Sequence, residues 1–429
     1  MRYEKIKNSL FIRNRSLFKE KMKPNSIAVF CSNDIMPTSA DGTMPFKQDS
    51  DMFWMSGIDQ EESTLVIFPD SSNNNHKEIL FLKETNKNIA IWEGEKLSKQ
   101  DAFEVSGIKN VYWNNEFDKI FDSLISQAST LYLNSNKHTR AAKEVETRSD
   151  RFNKICREKY KHISYEESAY LLHNLRSVKH PIEIDLLQKA CDITEKAFRR
   201  VLGFVRPNVK ENEIEAEFIH EFLINQSNGF AYQPIIASGK NACVLHYTKN
   251  NKICKDGDIL LMDVGAEYAN YCADMSRSIP VNGRFDKRQK KVYTSVLKVM
   301  KEAIKMLKPN VLLKEYHSEV GQMMQFELLS LGLIDKTDIK NQDKSFPAYK
   351  KYFMHGTSHF LGLDVHDVGD FEKPIKENMV FTCEPGIYIP EEGLGIRIEN
   401  DVLVTASEPV DLMKKIPIEV DEIEGLMNY

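Results

Sequence analysis

Apolar residues recur at helical spacing from about Leu10 to Lys21, and Lys23-Pro24-Asn25-Ser26 ends the pattern. A run of strand length follows at Ile27–Cys31, and two more lie at Ser63–Phe68 and Glu78–Leu82, split by a turn over 70–76. After the apolar run Ile89–Trp92 come a helix near Lys99–Val105 and a strand at Thr130–Leu133. This alternation predicts a smaller α/β domain over residues 1–175, with no Gly-, Ser- or Pro-rich linker at its end. From His180-Pro181 the periods lengthen. Leu186, Leu187, Ala190, Cys191, Ile193, Ala197, Phe198 and Val201 make one helical face, and a second helix covers about Glu211 to Gln226. Strands are expected at Tyr232–Ser238, Asp258–Val264 and Asn270–Ile279, then helices at about 286–307 and 313–331. Strands return at Met379–Cys383, Gly386–Ile389, Leu394–Glu399 and Asp401–Thr405. Short connections make the pairing mostly antiparallel, so residues 176–429 form a second domain and the chain is α+β.

The 429-residue length fits two or three domains, and 41% hydrophobic with 28% charged residues is the balance of a soluble globular protein. With 58 basic against 63 acidic residues and no long basic block, nucleic acid is not an expected partner. Seven scattered cysteines, never in a C-x-x-C pair, argue against a disulfide framework or a thiolate zinc site and for a reducing cytoplasm. No apolar run is long enough to span a bilayer, and the N-terminus lacks the apolar core of a secretory signal, so no membrane association is expected.

The chemistry gathers near the C-terminus. His355, His359 and His366 fall within twelve positions among glycines and apolar residues, not in a solvated charge run. Carboxylates lie on both sides: Asp263 at the end of an apolar strand, Asp274 in the next one, Glu384 before a Pro-Gly turn, and Glu399 two residues after Arg397. Each has a plain reading when taken alone. The aspartates are surface or capping groups about as often as not, Arg397 and Glu399 suit an i,i+2 surface pair, and a lone His is more often a hydrogen-bonded core residue. His355 and His359 are four apart, but the Glu of a helical zinc motif is absent and Gly356 weakens a helix there. Together, two Asp, one His and two Glu supply oxygen-rich ligation with one imidazole, which suits two Mn²⁺-like ions better than a thiolate zinc site. Such a pair can share a water and lower its pKa, while nearby His and Arg serve proton transfer and oxyanion stabilisation.

The order and context of Asp263, Asp274, His359, Glu384 and Glu399 resemble the pita-bread (creatinase/aminopeptidase) metallopeptidases, and within them aminopeptidase P, the Xaa-Pro aminopeptidases. The match is carried by His246-Tyr247, by the His-Gly-x-x-His and Asp-Val-His-Asp elements of 355–367, and by Gly395–Glu399. In the N-terminal half it is carried by Ser39-Ala40-Asp41, Lys47–Asp51, Ser56-Gly57 and Ile91-Trp92. The resemblance implies that the five residues bind two divalent ions, most simply Mn²⁺, with Glu384 also acting as general base. It implies that His246, His355 and His366 line the substrate site, and that Arg397 braces Asp274. Tyr388, Trp92 and Asp41 would stand at the site mouth, some supplied by a neighbouring subunit of a homodimer or homotetramer. Two departures from the family pattern are a short loop after Gly369 and a short link from Glu384 to Glu399. The implied activity is release of the first residue from peptides with proline second. Prolidase, acting on X-Pro dipeptides, is the nearest alternative, and a metal-free binding module on the same fold is a remote one.

Overall fold

Six short strands rich in β-branched and aromatic residues build one mixed sheet in the N-terminal half: β1 (Ser26–Cys31), β2 (Thr64–Ile67), β3 (Glu78–Leu82), β4 (Asn110–Trp113), β5 (Thr130–Leu133) and β6 (Ser164–Glu167). Their order is β4-β3-β2-β1-β5-β6. β1 runs antiparallel to β2 and parallel to β5, with every residue buried, as a strand covered on both faces requires. Ile27, Val29, Phe81 and Leu131 pack against Phe121, Leu124 and Cys156 from helices Phe117–Ile125 and Arg148–Lys159. The computed structural model describes residues 2–141, 144–343 and 345–428, and the chain divides into two compact units, Tyr3–Arg176 and Ser177 onward. The run Ile89–Trp92 lies in a helix, Lys87–Glu93, because the Asn86 side chain accepts the N–H groups of Asn88 and Ile89 and caps it. The polar strand β6 escapes sequence reading for lack of an apolar alternation.

In the second unit, helix Pro181–Phe204 starts on His180, with Pro181 in the first turn and Glu183 accepting from the His180 N–H. Helices Glu211–Ile224, Lys287–Met306 and Leu313–Ser330 follow. The strands are β7 (Gly229–Phe230), β8 (Ile235–Ser238), β9 (Ile259–Val264), β10 (Ala266–Tyr268), β11 (Tyr271–Cys272), β12 (Met275–Pro280), β13 (Val380–Cys383), β14 (Gly386–Ile389), β15 (Leu394–Arg397), β16 (Asn400–Leu403) and β17 (Val410–Asp411). Every pairing among them is antiparallel.

The expected strand over 270–279 is broken between Cys272 and Met275, and Asp274 falls in the break. Asp263 therefore stands opposite Ser276, not Asp274. Two features turn the chain there. Ala269 and Asn270 take positive φ of 54° and 67°. A Cβ on Gly265 would lie 1.7 Å from the Ala273 carbonyl oxygen, so only glycine admits that approach. Freed from the ladder, the Asp274 N–H donates to Asp401 at 3.0 Å.

Candidate active site

Four carboxylates and one imidazole converge from β9, the break before β12, the loop after Thr357, and the ends of β13 and β15. Ligand atoms of Asp274, His359 and Glu399 lie within 4.8 Å of one another, all three residues being buried. Asp263 joins them through Tyr232, whose hydroxyl sits 2.5 Å from Asp263 Oδ1 and 2.6 Å from Asp274 Oδ1. One hydroxyl has one proton to donate, so two such contacts suit a site where a carboxylate keeps its own proton. Burial, with Asp274 nearby, indeed raises the Asp263 carboxyl although Arg397 opposes it. Glu384 is pushed up to about 7, by burial first, with His359 opposing. Burial and the surrounding carboxylates raise Glu399 well above its usual range.

His359 is oriented for ligation. Its Nδ1 lies 3.0 Å from the Phe360 carbonyl, which can only accept, so Nδ1 carries a proton and Nε2 is the nitrogen that a metal would take in exchange for its proton. Nε2 points at Asp274 Oδ2 (3.4 Å) and Glu384 Oε1 (3.7 Å). Burial alone would lower this imidazole, but the two carboxylates outweigh it and hold it at about 9. So much buried negative charge is costly without a counter-charge. The donor set, hard oxygens with one imidazole nitrogen, fits divalent ions of the Mn²⁺ type.

Arg397 corrects one expectation. Its Nη2 donates to Asp263 Oδ2 at 2.6 Å and it does not brace Asp274, because β15 lays it alongside β9. Its Nε donates to Ser276 Oγ (2.8 Å), and Ser276 Oγ donates to Glu399 Oε2 (2.7 Å). Its Nη1 donates to the Tyr388 hydroxyl at 2.8 Å. That hydroxyl lies 2.7 Å from His355 Nε2, while His355 Nδ1 lies 2.7 Å from the Gly356 carbonyl. The carbonyl fixes the tautomer, so protons run from Arg397 to Tyr388 to His355. Burial, then the Arg397 charge, lowers His355 to about 3, so the ring stays neutral near pH 7.

Tyr388 is likewise misplaced by the expectation of a site-mouth residue: it is fully buried, packed with Tyr247 and Leu261. His355 uses both ring nitrogens on this chain and stands 3.8 Å from Glu384. His366 is exposed and stacks on His359 with ring centroids 4.0 Å apart. His246 is exposed on the loop after Cys243, near enough for its charge to lower His355 further. Trp92, 89% exposed, and the exposed Asp41 belong to the N-terminal unit. The sequence reading missed Tyr232, Ser276 and Asp401. No motif marks the first two within their expected strands, whereas Asp401, an acid heading the expected apolar strand Asp401–Thr405, was legible as a candidate; in the structure it is fully buried.

The family model for metallopeptidase family M24 matches residues 185–406, which hold all five converging side chains. The chain belongs to metallopeptidase family M24. The aminopeptidase P N-terminal domain model matches residues 11–132 ahead of it. The M24 member described here is a metalloaminopeptidase with the pita-bread fold, and its family implies bound divalent metal. The Xaa-Pro aminopeptidases of Haemophilus influenzae and Escherichia coli are each 32% identical to it over 437 residues, covering 99% and 98% of this chain and 98% of their own. Among solved structures, Pseudomonas aeruginosa aminopeptidase PepP superposes with a TM-score of 0.90 at 30% identity, over 99% of this chain and 98% of that one. Zinc-substituted E. coli aminopeptidase P in complex with product gives 0.89 at 30% identity, over 99% of both chains.

Proposed function

We propose that this M24 enzyme releases the first residue from peptides whose second residue is proline. The observation that carries this is the convergence of Asp263, Asp274, His359, Glu384 and Glu399, flanked by His246, His355 and His366, in a chain similar over its whole length to Xaa-Pro aminopeptidases. Asp263, Asp274, His359, Glu384 and Glu399 would hold two divalent ions, most simply Mn²⁺. When bound, these supply Lewis-acid polarisation of the scissile carbonyl and a nucleophile at neutral pH. Glu384 would accept the proton of the attacking water and return it to the leaving proline nitrogen. The X-Pro bond offers no N–H, so the site must grip the carbonyl side, and His246 and His366, both exposed, would supply that grip. The enzyme works in the cytoplasm as a homodimer or homotetramer. Trp92, at 89% exposure, is then available to a neighbouring subunit.

The test is hydrolysis of an X-Pro-Y tripeptide beside its X-Pro dipeptide with added Mn²⁺. Turnover of the tripeptide at least about 10-fold faster is expected, a gap of ~1.4 kcal/mol in the barrier. Faster dipeptide cleavage would make it a prolidase, and no turnover with any divalent ion would refute both. Tyr388→Phe deletes the hydroxyl between Arg397 and His355 and is expected to lower kcat/KM about 10-fold, the usual cost of an outer-sphere partner.

A further inference from the structure

We propose that Glu211, remote in sequence from every group above, is a positioning residue that sets the loop presenting His246 to the substrate; this rests on the reading of His246 as a substrate-binding group. Glu211 is the first residue of helix Glu211–Ile224 and is 0% exposed. Its Oε1 accepts from the Ser238 N–H (2.9 Å), the Ser238 hydroxyl (2.7 Å) and the Asn241 amide (3.2 Å). Its Oε2 accepts from the Tyr247 hydroxyl (2.8 Å) and the Lys252 N–H (2.9 Å). All five donors come from segment 238–252, on both sides of His246. The Glu211 N–H also donates to the Lys252 carbonyl at 2.9 Å. After β8 ends at Ser238 and the short turn Gly239–Cys243 closes, residues 244–252 form no helix or strand, and this carboxylate orders them together with Asn250, which accepts from the Ile236 N–H and donates to the Pro234 carbonyl.

The clasp leads to the site along one side chain. Tyr247, next to His246, spends its hydroxyl on Glu211 and belongs to the same buried apolar cluster as Tyr388, the residue joining Arg397 to His355. The turn is pressed onto β15 as well: a Cβ on Gly395 would lie 2.3 Å from the Ala242 carbonyl oxygen. A buried carboxylate at a helix start is favoured by the helix dipole and by its five donors. Exchanging one oxygen for an amide faces donor with donor and releases the loop on one side.

Glu211→Gln is expected to lower kcat/KM on X-Pro-Y about 10- to 100-fold, as slight misplacement of an orienting group does, with bound metal unchanged. The deciding measurement is a double-mutant cycle with His246→Ala. In the His246→Ala background, Glu211→Gln should cost less than about 2-fold, because the group it positions is gone. Tyr247→Phe removes a single donor and should show a smaller loss with the same coupling. It carries the test if Glu211→Gln does not fold. An equal loss in both backgrounds, or full activity in Glu211→Gln, overturns the proposal for Glu211 while His246 keeps its role. Full activity in His246→Ala alone removes the role of His246, and with it this inference.

Discussion

Glu384→Ala is expected to lower kcat on an X-Pro-Y tripeptide by about 10³-fold or more, the range a positioned general base contributes. The effect is large because one side chain serves two needs. Glu384 faces the His359 Nε2 at 3.7 Å as part of the donor set, and its second carboxylate oxygen can take and return a proton. Glu384→Gln separates the two. The amide keeps one oxygen for ligation and cannot take a proton, so metal content should hold while turnover falls. Steady-state kinetics beside elemental analysis reads both. A Gln variant with more than about a tenth of normal turnover would move the proton transfer to another residue.

Removal of metal is expected to make folding stability fall as pH rises, and metal binding to reverse the trend. The sign follows from the groups themselves. Glu384 has its pKa raised from 4.5 to about 7 in the fold, so the folded chain holds that proton where the unfolded chain has released it. Its stabilising contribution is present below 4.5 and is withdrawn as pH rises through about 7. Asp263 and Glu399 are raised too and act in the same direction. His359, raised from 6.5 to about 9, is stabilised as a cation, and that contribution is lost as pH climbs through about 9. All four push one way, so the Tm of chelator-treated protein should decline from pH 5 to pH 9. Divalent ions replace the protons, and the gain from adding them should grow with pH. At about 100 times Kd the gain is ~2.7 kcal/mol, about 3 °C in Tm for a chain of this size unfolding as one unit. Thermal melts at pH 5, 7 and 8.5 with and without Mn²⁺ measure it. A metal shift of equal size at every pH would contradict the protonated cluster.

Arg397 shows where sequence reading stopped. Its alternation with Glu399 was visible, and both do reach one cluster, yet its partner is Asp263 because β15 lies beside β9 and not beside the break that holds Asp274. Tyr388 sits in a clean apolar alternation, and only packing reveals that its hydroxyl is consumed between Arg397 and His355. Tyr232 and Glu211 open an expected strand and an expected helix, but nothing in those patterns marks their side chains, and their importance is entirely a matter of which oxygen meets which donor.

By itself the sequence determined the α+β class, the antiparallel character of the second half and the five side chains that form the cluster. Apolar periodicity and the chemistry of oxygen and imidazole donors are local properties that survive without coordinates. Tertiary structure alone decided the contacts among those side chains: the diagonal offset of Asp263 and Asp274 forced at Gly265, the hydroxyl of Tyr232 between them, and the carboxylate of Glu211 behind His246. Hydrogen bonds between residues far apart in the chain depend on strand register and backbone approach to within a fraction of an ångström, and no pattern along the chain encodes that distance.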